Sequence, residues 1–339
     1  MMRMSAVNKL TIVFFVAIIL NGLAYGRTKP SSSSSDSYPN KPLHLVVPFP
    51  AGGGADFWGR LVAEKLSDAL GQPVIVDNVP GAGGNNGTAA AAKATPDGYT
   101  LLLGSVGPLT VHQYTYNSLP FDAAKDFVPI SLLESSPILL VVNPSVQASS
   151  VQQLVALAKA HPGTLTFGSN GNGSPEQIAG ELFNQEAGVN IRHVPFDGAG
   201  PARKDVVKGG VSMMFDPCKA AMAEVMEGKV KALGVASPAR LPVLPNVATF
   251  AEAGIKGFDL RVWTGVLAPA GTSQEIISKL NRAIHEVLST PEVEKTVAEQ
   301  GGELGHTTPE QFARYIQAER TKWSKLATET NTPKVDRPL

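Results

Sequence analysis

Cysteine is almost absent from this sequence of 339 residues, which contains only Cys218. An intrachain disulfide is therefore excluded, and the fold must be stabilised by the burial of apolar side chains. We expect Cys218 to be a buried free thiol. Neither sign of charge is in excess, because 29 basic residues balance 29 acidic ones. The chain thus lacks the positive surplus that nucleic-acid binding requires, and no nucleic-acid partner is predicted.

Several motifs of catalytic and cofactor-binding proteins are also missing. No G-K-[ST] sequence occurs, which excludes a nucleotide phosphate loop of that type. The six histidines form no i, i+4 pair and no H-E-x-x-H motif, so neither a metal site nor a histidine-based catalytic centre is predicted. LGSVG and FGSNG approach the G-x-S-x-G elbow of serine hydrolases but lack its first glycine. We expect no cofactor, no metal and no catalytic residues.

Long apolar runs are scarce, and one stands near the start of the chain. Arg3 and Lys9 precede it, LTIVFFVAII forms its core, and Ala24-Tyr25-Gly26 follows as a small-x-small cleavage site. The run is far shorter than the roughly 20 residues that span a bilayer. We therefore predict a signal peptide over 1–26 and export to the periplasm, with an uncleaved membrane anchor as the alternative. A flexible serine-rich tether is predicted over 27–40.

The remaining sequence alternates strands and helices in two series. The first contains the strands LHLVVPF, PVIVDN and YTLLLGS, with a helix from about Asp56 to Leu70. The second begins with PILLVVNPSV and continues through TLTF, VSMMFD and VKALGVAS. From Thr272 the chain is predicted to be helical to its end, with Thr272 and Glu275 as a capping box. This pattern predicts an α/β fold with mostly parallel sheets covered by helices.

One glycine-rich loop lies between a strand and a helix in each series, at residues 51–56 and 169–175. Glycine allows a ligand to approach the backbone, and the start of a helix presents unpaired N–H groups with a partial positive charge. Such a loop suits a small anion, and a carboxylate fits as well as a phosphate. Simple tight turns are the alternative, but the matching position of the two loops favours binding.

Long motifs in fixed order carry a resemblance to a known family. The stretch from VVPFPAGGGADFWGR to DGYTLLLGS, together with SNGNGSPEQIAGELF, VPFDGAGPARKDVVKGGVSMMFD and WTGVLAPAGTS, resembles the solute-binding receptors of tripartite tricarboxylate transporters, the Bug-type periplasmic binding proteins. The resemblance covers roughly residues 41–330. It implies a two-lobed Venus flytrap fold of type II, with lobe 1 over 41–142 plus 265–339 and lobe 2 over 143–264.

The resemblance also implies a set of ligand-binding residues in a cleft between the lobes. They are Phe49, Gly53, Gly54, Ala55, Asp56 and Ser105 in lobe 1, and Ser169, Asn172, Ser174 and Asp216 in lobe 2. Asp56 is also well placed to cap the first helix, and Asp216 is expected to contact a water or a donor group of the ligand. The chain departs from the family pattern at Ala55, where a hydroxyl is common, at Gln177, where histidine is usual, and at Pro217-Cys218.

The function implied is that of a non-enzymatic, monomeric periplasmic receptor. It would capture a small mono- or dicarboxylate between its lobes and deliver it to the integral membrane permease of a tripartite tricarboxylate transporter. One alternative is a periplasmic hydrolase or isomerase that uses Ser105 or Ser169, although no histidine stands close to either serine in sequence. Another is a ligand-sensing partner of a sensor kinase.

Overall fold

The computed structural model describes residues 38–336 of the chain. The predicted signal peptide and most of the predicted tether lie outside the described residues. The strands are β1 (Leu43–Val47), β2 (Val74–Asn78), β3 (Thr100–Ser105), β4 (Phe127–Val142), β5 (Thr166–Ser169), β6 (Arg192–Pro195), β7 (Met213–Pro217), β8 (Lys231–Val235), β9 (Arg261–Pro269) and β10 (Glu303–Leu304). The helices are α1 (Gly54–Leu70), α2 (Asn85–Ala92), α3 (His112–Thr115), α4 (Val151–Ala160), α5 (Pro175–Ala187), α6 (Ala199–Lys208), α7 (Cys218–Met226), α8 (Gln274–Leu288), α9 (Pro291–Glu299) and α10 (Pro309–Glu329). A π-helical turn, Gly107–Val111, precedes α3.

The first section of the sheet has the strand order β2-β1-β3-β9-β4. β1 runs parallel to β2 and β3, so that Leu45 lies opposite Val76 on one side and Leu101 on the other. Leu45 and Leu101 are fully buried, as the apolar strand sequences predict. β9 runs antiparallel to both β3 and β4.

β4 belongs to both sections of the sheet. Its residues 127–137 pair with β9, whereas its residues 138–142 pair with β7 and β8. β5 continues the second section and runs parallel to β6 and β7. The α/β class is confirmed, but the pairings of β4 and β9 are antiparallel: β4 runs through both sections, whereas β9 lies between β3 and β4 in the first section only. The exact bounds of the two lobes stay a prediction.

The helices cover the sheet through the apolar faces that the sequence indicates. In α1, Val62 and Leu66 are fully buried, and Gly71 ends the helix in the left-handed conformation at φ 67°. In α10, Phe312 and Trp323 are fully buried, and this helix packs against β4 and the 107–111 turn. The final helix therefore packs on the first section of the sheet, as predicted.

Two local predictions are wrong near the end of the chain. Ser273, not Thr272, caps α8, because its hydroxyl accepts from the amide of Ile276 while Thr272 donates to the carbonyl of Pro269. The region after Thr272 is also not wholly helical, since the short strand β10 pairs with Glu134 and Ser135 of β4.

Cys218 is a buried free thiol, as predicted. Burial raises its pKa to about 12, so the thiol is protonated and unreactive at neutral pH. Within residues 38–336, no helix is long and apolar enough to cross a membrane.

Candidate functional site

The first glycine loop, residues 51–56, leaves its backbone uncovered. Residues 51–54 are exposed, and Gly53 is the N-cap of α1 without any side-chain cap. A Cβ atom added to Gly52 or Gly54 would meet nothing within 4 Å, and Gly52 also needs glycine because its φ is 81°. The first-turn N–H groups of α1 are therefore open to an approaching anion.

The buried side chain of Asp56 hydrogen-bonds to this loop. Its Oδ2 accepts from the amide of Gly52 at 2.8 Å and from Nε of Arg60 at 3.0 Å, while its Oδ1 accepts from Nδ2 of Asn78 at 3.0 Å. The hydrogen bond from Arg60 lowers the pKa of Asp56, which keeps the carboxylate ionised. Asp56 thus joins the loop to α1 and β2 through three bonds, a structural role different from the helix cap considered above.

Aromatic and polar side chains line the region between the first loop and α3. A Cβ atom on Gly84 would lie 3.1 Å from Phe49, and one on Gly83 would lie 3.0 Å from His112. The Nδ1 atom of His112 donates to Asn85 at 2.7 Å, and burial lowers the pKa of His112 to about 3. This histidine is therefore neutral and serves the packing of the region.

Ser105 is the last residue of β3, as expected. The family resemblance implies that it binds the ligand. Its hydroxyl oxygen is buried and makes no hydrogen bond to any described residue. Ala55, in the first turn of α1, is partly exposed, so the position at which a hydroxyl is common carries only a methyl group here.

In the second glycine loop, residues 169–175, Ser169 has a partner that sequence reasoning missed. Its Oγ lies 2.6 Å from Nε2 of His193, donates to the carbonyl of Gly171 and accepts from the amide of the same residue. Ser169 is fully buried, and burial lowers the pKa of His193 to about 4. The two residues meet because β5 and β6 are parallel neighbours, with Phe167 opposite His193.

Side chains of the second loop and of helix α5 bond to backbone amides of this region. Gln177 accepts from the amide of Gly173 at 2.7 Å, and Ser174 is the N-cap of α5, accepting from the amide of Gln177. Both side chains are buried, whereas Asn172 is exposed. Amides of this loop are thus satisfied internally, so the loop offers less free backbone than the sequence suggests.

A hydrogen bond connects the second glycine loop with helix α3. The hydroxyl of Thr115, at the end of α3, donates to the carbonyl of Gly173 at 2.9 Å. A Cβ atom on Gly173 would also lie 3.3 Å from Tyr116. Tyr116 thus lies close to Gly83 and to Gly173, and Phe49, which precedes the first loop, lies close to Gly84.

Glu176, which directly follows the second loop, forms a charge cluster with Arg203 and Asp216. Arg203 binds Asp216 through two bonds, Nε to Oδ2 at 2.5 Å and Nη2 to Oδ1 at 3.0 Å. Asp216 is fully buried at the end of β7. Arg203 thus bonds both oxygens of Asp216, which were expected to contact a water or a ligand donor, and no sequence motif indicated this partner.

Glu176 is the third member of this cluster and is 4 % exposed. Burial raises its pKa to about 7, and the charge of Asp216 adds to this effect, although its own backbone amide and the Ser174 hydroxyl favour the ionised form. Its Oε2 atom is buried and makes no hydrogen bond to any described residue. Sequence reasoning did not single out this residue.

The departure at Pro217-Cys218 lies where β7 ends and α7 begins. The next residue, Lys219, forms a buried ion pair with Glu134 of β4, which also accepts from Thr264 at 2.7 Å. No group of three or more potential metal-binding side chains occurs among the residues that the structure describes.

Comparisons of the sequence and of the structure with known proteins agree on one family. A family model described as "Tripartite tricarboxylate transporter family receptor" matches residues 59–332. BugT of Bordetella pertussis is 39% identical over 298 residues, which cover 88% of this chain and 91% of BugT. The structure of R. palustris Rpa4515 with adipate has a TM-score of 0.84 at 33% identity and covers 88% of this chain and 100% of that one. MatC from Rhodopseudomonas palustris with bound malate has a TM-score of 0.79 at 33% identity and covers 85% and 99%.

Proposed function

The chain belongs to the tripartite tricarboxylate transporter receptor family, and we propose that it captures a small organic acid in the periplasm and delivers it to a membrane permease. The first glycine loop is the observation that carries this proposal. Its exposed glycines and the uncapped start of α1 provide free N–H groups at the positive end of a helix dipole, which bind a carboxylate well. Two similar proteins of solved structure hold carboxylic acids, namely adipate and malate.

We assign the carboxylate to the first loop and the rest of the ligand to the second. Gly53, Gly54 and Ala55 present backbone amides, and Phe49 provides an apolar contact beside them. Ser105 adds a hydroxyl from the end of β3, and Ser169, Asn172, Ser174 and Asp216 belong to the opposite side. Asp56 and Asp216 act indirectly, because their oxygens are bonded to protein groups: Asp56 accepts from Gly52, and Asp216 accepts from Arg203.

The mechanism requires movement of two lobes about the strands that join them. With lobe 1 over 41–142 plus 265–339 and lobe 2 over 143–264, only a closed arrangement lets both loops contact one ligand. The ligand therefore shifts the population toward that arrangement, which is the form that a permease would recognise. The predicted signal peptide over 1–26 would direct the protein to the periplasm as a monomer.

A hydrolase is the second candidate, because Ser169 and His193 are in contact. A serine nucleophile needs a free hydroxyl beside its base. Ser169 is fully buried, and its oxygen already bonds both polar groups of Gly171. The pair is therefore better suited to ordering the second loop, and we expect no hydrolysis of ester substrates.

A thermal-shift screen tests the proposed function. The probes are mono- and dicarboxylates, acidic amino acids and aromatic acids, with uncharged sugars as the control set. An acid at about 100 times its Kd should stabilise the protein by roughly 2.7 kcal/mol, which raises Tm by several degrees. A shift produced by sugars and by none of the acids would overturn the proposal. Ester turnover by the same preparation would favour the hydrolase.

A further inference from the structure

Two buried polar atoms beside the glycine loops have no hydrogen-bond partner among the described residues. Among the described residues, the buried side-chain atoms without a hydrogen bond belong to Trp58, Trp263, Tyr315, Ser105 and Glu176. The first three are large aromatic residues. The carboxylate oxygen of Glu176 is the most costly of the five to leave unbonded, because burying an unpaired acceptor that can carry charge is strongly unfavourable.

Glu176 adjoins one of the two loops of the proposed site. Glu176 follows the second glycine loop directly and lies in the first turn of α5. The loop begins at the carboxyl end of β5, and Ser105 lies at the carboxyl end of β3. Ligands of open α/β sheets bind at this edge. The bond from Thr115 to Gly173 joins the loop before Glu176 to helix α3.

The charges around Glu176 determine which chemical group it would accept. The cluster contains two carboxylates and one guanidinium, and Asp216 occupies Nε and Nη2 of that guanidinium. At pH 8, above the Glu176 pKa of about 7, Glu176 is ionised, and a ligand carboxylate entering here would be repelled by Glu176 and Asp216. A hydroxyl or an ammonium group would instead satisfy the free oxygen.

We propose that Glu176 accepts a hydrogen bond from a hydroxyl or ammonium group of the bound acid, so that the receptor selects acids carrying such a donor away from the carboxylate. This inference rests on the proposed function, since it assigns the second end of a ligand whose carboxylate is held by the first loop. Glu176 is then a specificity-determining residue, and the charges of Asp216 and Arg203 act on its carboxyl group.

Matched acids that differ only at the far end test this inference. The probes are butanoate, 4-hydroxybutanoate, 4-aminobutanoate and succinate, together with pentanoate, 5-hydroxypentanoate, 5-aminopentanoate and glutarate. Calorimetry on the wild-type protein at pH 8 should show that the best hydroxyl or ammonium acid binds at least about tenfold more tightly than the methyl-ended and dicarboxylate acids of its length.

The variant Glu176→Gln should lose about tenfold of this preference, measured as the ratio of the Kd of the methyl-ended acid to the Kd of the ammonium acid. Glu181→Gln, on the same helix, is the matched control and should keep the wild-type preference. Tightest binding of succinate or glutarate by the wild type, or an unchanged preference in Glu176→Gln, would overturn the inference while leaving the proposed function intact. Failure of every acid in this series and in the wider screen would overturn both.

Discussion

Each section of the sheet carries an aspartate–arginine pair beside its glycine loop, and the two pairs differ in burial. Asp56 and Arg60 lie one turn apart on α1, and the Arg60 side chain is 57% exposed. Asp216 and Arg203 come from different elements, and their side chains are 0% and 18% exposed. The first pair is a local brace in contact with water, whereas the second is a buried link between β7 and α6.

The same contrast applies to the loops themselves. The first loop exposes its glycines and is held by one side chain, Asp56. The second loop is largely buried, and Ser169 and Gln177 satisfy its amides. In the proposed function, the first region would therefore offer backbone groups to the carboxylate, while the second would present side chains that distinguish one acid from another.

Replacing the arginine of each pair should give the largest difference between the regions. Arg203→Met leaves the fully buried Asp216 without its partner, so we expect a loss of roughly 3–5 kcal/mol in the free energy of unfolding. Arg60→Met removes an exposed partner, and Asp56 keeps its bonds to Gly52 and Asn78, so the loss should stay below about 1 kcal/mol. Urea denaturation of both variants measures these values, and similar losses would show that the pairs do not differ as their burial indicates.

Glu176 predicts a pH dependence that belongs to the second region. The pKa of Glu176 is about 7 in the folded protein, against an ordinary value of 4.5. Its contribution to stability is therefore full below pH 4.5 and is lost as the pH rises through 7, by at most about 3 kcal/mol. Glu176→Gln removes this loss, so its stability relative to the wild type should rise by up to that amount between pH 4 and pH 8.

Stability must be compared with that of the wild type at each pH, because the pH dependence that His112 gives to stability is opposite to that of Glu176. Burial lowers the pKa of His112 to about 3, so the wild type also loses stability as the pH falls below 6.5. This loss is common to both proteins and cancels in the difference. A difference that stays flat from pH 4 to pH 8 would contradict the assignment of Glu176 as a buried carboxyl group.

Local patterns in the sequence predicted most of the first region. The apolar strands, the helix that ends at Gly71 and the exposed glycine loop all follow from residues that are neighbours in the chain. β4 is different, since its first part contains Pro129 and the polar residues Glu134 and Ser135. The sequence predicts a strand only from Pro137, because Glu134 is buried through partners far along the chain, Lys219 and Thr264.

The second region shows the same limit in the site. Ser169, Ser174 and Asp216 follow from the resemblance, but their partners do not. His193 reaches Ser169 only through the pairing of β5 and β6, and Arg203 reaches Asp216 only through the packing of α6. Glu176 looks like an ordinary first-turn acidic residue of a helix, and only the packed structure shows that it is buried.

An alanine in each loop provides a smaller test of the comparison. Gly173 has a φ of 77°, and an added Cβ atom would lie 2.9 Å from Oγ1 of Thr115, so Gly173→Ala should destabilise the protein by about 1–2 kcal/mol. Gly54 is the first helical residue of α1, and an added Cβ atom would meet nothing within 4 Å. Gly54→Ala should therefore not lower the free energy of unfolding, and should raise it by up to about 1 kcal/mol.

The same Gly54→Ala protein also tests the carboxylate site directly. Its methyl group would stand over the amides that we assign to the ligand, so calorimetry should show at least about tenfold weaker binding of any acid found in the screen. Unchanged affinity would mean that the ligand does not approach this backbone.

Removing one serine hydroxyl in each region gives the smallest expected effect on stability. It also distinguishes a hydroxyl that stabilises the fold from one that binds the ligand. Ser169 bonds to His193 and Gly171, so Ser169→Ala should lower the free energy of unfolding of the ligand-free protein by about 1 kcal/mol. Ser105 has no partner among the described residues, so Ser105→Ala should change that free energy by less than about 0.5 kcal/mol. If the hydroxyl of Ser105 faces the ligand, Ser105→Ala should nevertheless weaken acid binding severalfold. A protein in which Ser105→Ala costs as much stability as Ser169→Ala would show that the Ser105 hydroxyl serves the fold and not the ligand.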